Sequence, residues 1–181
     1  TTLIHPPGAP MPSYSNMAYA LLGRELVPGV AAATTASGQS KSIPHKSKMA
    51  TSPTWEDYTQ AHILDALNLT RTGFGLDWSA LDNNTATGYL PNGKSTGDYH
   101  LGWTAPAGGM HSTTHDLNML ADAIMTGQAF GGDPVTASEM MSPVFLNPGG
   151  TTLFGTPWEM RFHNTTGFLV RRKGGNVPGF T

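Results

Sequence analysis

Two short stretches of the 181-residue chain carry side chains that could do acid–base chemistry on an acyl group. The first, Pro12-Ser13-Tyr14-Ser15-Asn16, sets a phenol and a carboxamide one turn-step apart as the chain runs into Met17-Ala18-Tyr19-Ala20-Leu21-Leu22-Gly23. The second is Lys173-Gly174-Gly175-Asn176. A phenol titrates near pH 10 and acts as a general base only where a neighbouring cation lowers or shares its proton affinity. Lys173 is the candidate cation. Its ammonium can steady an anionic substrate or transition state, and the two glycines after it let a substrate backbone lie against the strand. Taken alone, each motif is weak: Tyr14 and Asn16 could equally be a packed ring and a helix cap. Lys173 could equally be an exposed strand-end cation in the run Arg171-Arg172-Lys173. No serine of the 181 residues has a lysine three positions on, so the chain carries no Ser-x-x-Lys turn of its own.

The composition bounds what else the chain can do. Hydrophobic residues make up 38 % and charged residues only 12 %, with a net charge of -2. Such a surface has no field to gather nucleic acid or anionic lipid, so neither is expected as a partner. No apolar run approaches the ~20 residues of a membrane-spanning helix. With no cysteine, disulfides, a thiol nucleophile and thiolate metal sites are excluded. His111 and His115 stand four apart, a spacing that could place two metal ligands on one helix face, but no third ligand accompanies them and a solvated pair is expected. Asn68-Leu69-Thr70, Asn83-Asn84-Thr85 and Asn164-Thr165-Thr166 are acceptor sequons, so Asn68, Asn83 and Asn164 are glycosylation candidates and export from the cell is expected. The chain starts at Thr1 with no charged-then-apolar leader, which reads as a mature or excised piece.

The elements that must hold the two motifs are legible from caps and periodicity. Prolines 6, 7, 10 and 12 make an extended approach. A helix capped by Ser13 or Ser15 follows, with Ala18, Leu21, Leu22 and Leu26 as its buried face until Pro28-Gly29. Residues 29–54, rich in Ala, Thr, Ser and Lys without either period, read as a flexible insertion. A second helix starts after Thr54 and buries Ile63, Ala66 and Leu67. Asn92-Gly93 reads as a two-residue hairpin turn. A third helix carries Leu117, Leu120, Ala121 and Ile124 at i, i+3, i+4 and i+7, with Asp116 satisfying its first amides. A short helix around residues 138–141 ends at Pro143, and the alternation from Trp158 to Val170 predicts two antiparallel strands. Helices first and strands last predict an α+β or three-layer domain.

Four blocks then stand in a telling order. They are Tyr14-Ser15-Asn16 with Tyr19-Ala20-Leu21-Leu22-Gly23; the run from His62 through Asp65 to Thr70; Pro106-Ala107-Gly108-Gly109-Met110 with Asp116-Leu117; and Lys173-Gly174-Gly175 with Pro178-Gly179-Phe180. In this order they resemble the serine β-lactamase and penicillin-binding-protein superfamily, specifically its class C β-lactamase-related branch of esterases and D-aminopeptidases. The resemblance implies a β-lactamase/transpeptidase-like α+β fold, an antiparallel sheet flanked by helices, with residues 1–181 forming part of one such domain. It implies that Tyr14 helps deprotonate the serine and later activates a water or acceptor alcohol, and that Asn16 hydrogen-bonds the acyl side chain. Lys173, Gly174 and Gly175 resemble the third motif, and the N–H of Asn176 would supply half of an oxyanion hole. Gly174 stands where many members carry Thr or Ser, which removes a hydroxyl contact to a substrate carboxylate. The sheet is expected to lack outer strands at both ends, so that a longer protein or a second chain completes it. The function implied is metal-independent and cofactor-free acyl transfer through a covalent acyl-serine, on a small ester, amide, peptide or lactam. Esterase or peptidase activity is favoured over β-lactamase, and the 181 residues alone are expected to be inactive. The alternative is a catalytically silent homologue kept as a binding or structural module.

Overall fold

The computed structural model describes residues 14–29, 54–75, 85–96 and 100–180. The stretch expected as an insertion lies outside these apart from Gly29 and Thr54, and so does the sequon asparagine Asn83. The chain divides into two compact units: Tyr14 with residues 121–176, and the described residues of 15–120 with 177–180.

In the second unit, Ser15 caps helix α1 (Asn16–Leu21) by accepting the Ala18 N–H at 3.1 Å, and a wide π-helical turn (Leu22–Leu26) continues it. The expected apolar face is the wrong one. Leu21, Leu22 and Leu26 are exposed, whereas Ala20 and Gly23 are buried. The cause is close approach: a Cβ on Gly23 would sit 2.7 Å from Pro106 Cγ, so this small-residue face lies against the 3₁₀ turn Gly102–Ala107. Arg24 fixes the arrangement, pairing with Glu56 at 3.1 Å and donating to the carbonyls of Gly102 and Trp103.

Helix α2 (Trp55–Thr59) opens with a reciprocal box in which Thr54 accepts the Asp57 N–H at 3.1 Å and Asp57 accepts the Thr54 N–H at 3.0 Å. It also continues as a π-helical turn, Gln60–Leu64, with Asp65 N–H reaching Gln60 O at 2.8 Å. Leu67 is buried as expected, but the wider circuit shifts the facing before it, so Leu64 is buried while Ile63 and Ala66 are exposed. Asn68 takes a left-handed conformation (φ 56) just beyond. Strands β1 (Gly73–Phe74) and β2 (Met110–His111) pair antiparallel, and Phe74 packs edge-on to buried Trp55 at 4.9 Å. The hairpin at Asn92-Gly93 is present with a three-residue loop: Leu90 pairs with Lys94, the Gly93 N–H closes on Leu90 O, and Gly93 has φ 79.

Helix α3 (Thr114–Met125) forms where its period predicted it and carries the chain into the first unit, where Ala123 and Ile124 are buried. Leu117 and Ala121 face outward instead. Helix α4 (Pro134–Met140) starts four residues before the expected one, because Asp133 caps it by accepting the Val135 and Thr136 N–H groups and Pro134 sits in its first turn. The sheet that follows has four antiparallel strands, not two, in the order of the chain: β3 (Phe145–Leu146), β4 (Leu153–Phe154), β5 (Glu159–Phe162) and β6 (Leu169–Arg172). Phe145 and Phe154 face each other and stack at 5.2 Å. Met160 is fully buried opposite Arg171, and along β6 Leu169 and Arg171 turn inward while Val170 and Arg172 turn out. Among the described residues no helix is long and apolar enough to cross a membrane.

Candidate active site

β6 ends at Arg172 and delivers Lys173 as the next residue, with its Nζ over the ring of Tyr14 at 5.7 Å from the centroid. That lies within cation–π range. The three successive cations of this strand have three different fates, which separates Lys173 from a generic basic run. Arg171 turns inward and donates to the carbonyls of Met141 (2.6 Å) and Leu169 (3.4 Å). Arg172 pairs with Glu159 at 3.4 Å. Lys173 donates one N–H to Gly174 O at 2.9 Å, which leaves two of its three donors for another acceptor. Tyr14 is 75 % exposed.

Gly174 and Gly175 have no atom within 4 Å of where a Cβ would stand, and neither has a positive φ. Both leave an open strip beside the lysine, and a hydroxyl-bearing side chain at Gly174 would meet no obstacle. Asn176 is exposed at the end of that strip. Asn16 is the exposed first residue of α1 and belongs to the second unit. The glycosylation candidates Asn68 and Asn164 are both exposed, the latter in the β5–β6 turn.

Asp116 departs from its expected role. The cap of α3 is Thr113, whose Oγ1 accepts the Asp116 N–H at 3.2 Å. The Asp116 carboxylate, buried at 2 % exposure, instead accepts the Arg71 N–H at 2.9 Å and the Thr72 hydroxyl at 2.8 Å. Thr72 Oγ1 lies 2.7 Å from Ser112 Oγ as well, so one carboxylate ties the approach to β1 onto the start of α3. Burial pushes this carboxyl up, but the hydrogen bonds from Thr72 and Arg71, the nearby His115 and the Thr113 contact outweigh it and hold the group below its ordinary value. The signal was an acidic residue on the inward side of the helix period. His111 Nδ1 lies 2.9 Å from Gly75 O, and among the described residues no three His, Asp or Glu side chains group to hold a metal.

No protein-family profile matches the chain. It is 31 % identical over 175 residues to a Homo sapiens protein described as beta-lactamase-like 1, covering 92 % of this chain and 29 % of that protein. It is 29 % identical over 171 residues to beta-lactamase-like protein 2 of Dictyostelium discoideum, covering 92 % and 27 %. The chain therefore spans under a third of the length of these relatives. Three solved structures share the fold at 19–20 % identity. A D-stereospecific amidohydrolase from Streptomyces sp. matches with a TM-score of 0.66 over 96 % of this chain and 45 % of its own. A penicillin binding protein from Bacillus halodurans matches at 0.59 over 88 % and 43 %. A D-amino acid amidase from Ochrobactrum anthropi SV3, complexed with D-phenylalanine, matches at 0.56 over 92 % and 45 %. By sequence kinship along nearly all of its length the chain belongs to the β-lactamase-like protein family, and it has a β-lactamase/transpeptidase-like α+β fold.

Proposed function

We propose that the chain supplies the proton-transfer half of a serine acyl-transfer site, and that the scissile bond is an ester, amide or peptide bond rather than a β-lactam. The observation that carries this reading is the Lys173 ammonium over the Tyr14 ring at 5.7 Å. In the proposed reaction a serine supplied from outside these 181 residues attacks the acyl carbonyl. The Tyr14 phenolate takes the serine proton, and the Lys173 charge compensates the phenolate. The same phenol then protonates the leaving amine or alcohol as the carbonyl re-forms, and water repeats the sequence on the acyl-serine. The oxyanion is assigned to the Asn176 N–H by its place after the glycine pair, and the acyl side chain to Asn16 by its place in the Tyr14-Ser15-Asn16 motif.

Two of the structures that share the fold are a D-stereospecific amidohydrolase and a D-amino acid amidase, which favours an amide. Gly174 offers no hydroxyl for the carboxylate that β-lactams carry, which disfavours penicillins. The test is labelling of the whole protein with a fluorophosphonate probe, followed by identification of the modified residue. A single serine adduct is expected, formed at least about 100-fold more slowly in Tyr14→Phe, which keeps the ring and loses the proton carrier. Absence of any adduct at any probe concentration would leave the catalytically silent homologue as the reading. The 181 residues alone should turn over no ester or amide. The sequons at Asn68, Asn83 and Asn164 favour a secreted protein, to be checked by loss of mass on N-glycosidase treatment; an unmodified mature protein would count against it.

A further inference from the structure

Within the first unit, the end of α3, the side of α4 and the inward face of β6 border an open concavity of about 300 Å³. Met125, Ala137 and Met141 give it an apolar lining, Thr126 and Ser138 put hydroxyl groups on it, and Arg171 is its cation. The volume stands at the lower limit of small-molecule sites, which selects a small ligand.

Arg171 is the unusual member. It is half-buried on the sheet face that also holds the fully buried Met160, and neither described ion pair includes it. Two of its five N–H groups are used, both on main-chain carbonyls: Nε on Met141 O beyond the C-terminus of α4, and Nη1 on Leu169 O. Those bonds fix the plane of the guanidinium, and among the described residues no carboxylate pairs with it. Three donors remain in a fork suited to a bidentate carboxylate. A half-desolvated cation favours an anion beside it far more than a solvated one does.

We propose that this concavity binds a small amphipathic carboxylate, of the kind a medium-chain fatty acid presents, with the carboxylate on the Arg171 guanidinium and the hydrocarbon against Met125, Ala137 and Met141. This site is separate from the Tyr14–Lys173 pair and stands whether or not acyl transfer occurs. The experiment is calorimetric titration of the whole protein with sodium octanoate and, in parallel, with 1-octanol, which has the same chain without the charge. Saturable one-site binding is expected, with octanoate tighter by about tenfold or more, as a charge-assisted hydrogen bond gives. Arg171→Gln should bring octanoate down to the affinity of octanol. Because Arg171 also holds the end of α4, a second variant decides the matter if that one fails to fold: Ser138→Phe, on the exposed side of α4, should fill the concavity and abolish binding of both probes with the melting temperature unchanged. Equal affinity for the two probes, octanoate binding that survives Ser138→Phe, or no saturable binding up to the solubility of octanoate would each overturn the proposal.

Discussion

Replacing Gly23 by alanine asks what holds α1 in place. On helix propensity alone the change should stabilise by roughly 0.5–1 kcal/mol, because alanine loses less backbone freedom on folding. Packing reverses the sign. The added methyl would stand at ordinary contact distance from Trp55 Cγ, 3.5 Å, but 2.7 Å from Pro106 Cγ and closer still to Pro106 Cβ. A pyrrolidine ring has no alternative rotamer into which to withdraw. Relief must therefore come from displacing the 3₁₀ turn, which the Gly109 N–H bonded to Ala105 O at 2.7 Å holds closed. Overpacking of this kind costs about 1–3 kcal/mol. After subtraction of the propensity gain, the net expectation is a loss of up to about 2.5 kcal/mol, centred near 1 kcal/mol. Urea denaturation of the whole protein reads this as a lower midpoint at constant slope. The same substitution in a Pro106→Gly background should be neutral, or stabilising by roughly 0.5–1 kcal/mol. A Gly23→Ala variant more stable than the parent, or one whose effect is the same in both backgrounds, would refute the account of α1 packing.

Three further outcomes follow from individual contacts. Thr54→Ala removes one arm of the reciprocal box on α2 and should cost about 0.5–2 kcal/mol in the same denaturation experiment; no change would mean that Asp57 alone caps the helix. The Asp116 carboxyl is held below its ordinary value of 3.8 in the folded state, so its contribution is complete above that value and is lost as the pH falls through the lower folded one. Asp116→Asn should therefore be less stable than the parent at neutral pH, with the gap narrowing below about pH 4; a gap independent of pH would show that the charge is not what matters. Gly174→Ser should fold with stability within about 0.5 kcal/mol of the parent, since nothing stands near its Cβ, and should raise the rate of labelling by a fluorescent penicillin; a drop in that rate would contradict the role given to the missing hydroxyl.

What could be read from the sequence was local chemistry with a short reach. Ser15 and Thr54 as caps, the existence of α3 and the turn at Gly93 rest on short-range signals, and the structure has all of them, although α3 turns Leu117 and Ala121 outward. Contacts set by distant partners were hidden. The face that α1 buries is chosen by Pro106, eighty-odd positions away, so the larger leucines beside Ala20 and Gly23 misled. Asp116 was given a partner in its own helix because its real ones, Arg71 and Thr72, lie about 45 positions earlier. Strands of two residues, such as β3 and β4, are too short to alternate. For the candidate site, the residue types and the nearness of Lys173 to Tyr14 were legible. The separate tethering of Arg171 and Arg172, which leaves the lysine as the cation over the phenol, was not.

The two π-helical turns are places where these helices can change length. Each turn takes up one residue more than a regular circuit in a single widened loop. Deleting a single residue from Leu22–Leu26 or Gln60–Leu64 would let an ordinary α-helix close there while the residues after it keep nearly the facing they have now, so that Leu64 and Leu67 stay inward. The same deletion in α3, which has no such turn, would swing everything after it by about 100° and turn Ala123 and Ile124 away from the core. Chain length is thus freer in the first two helices than in the third.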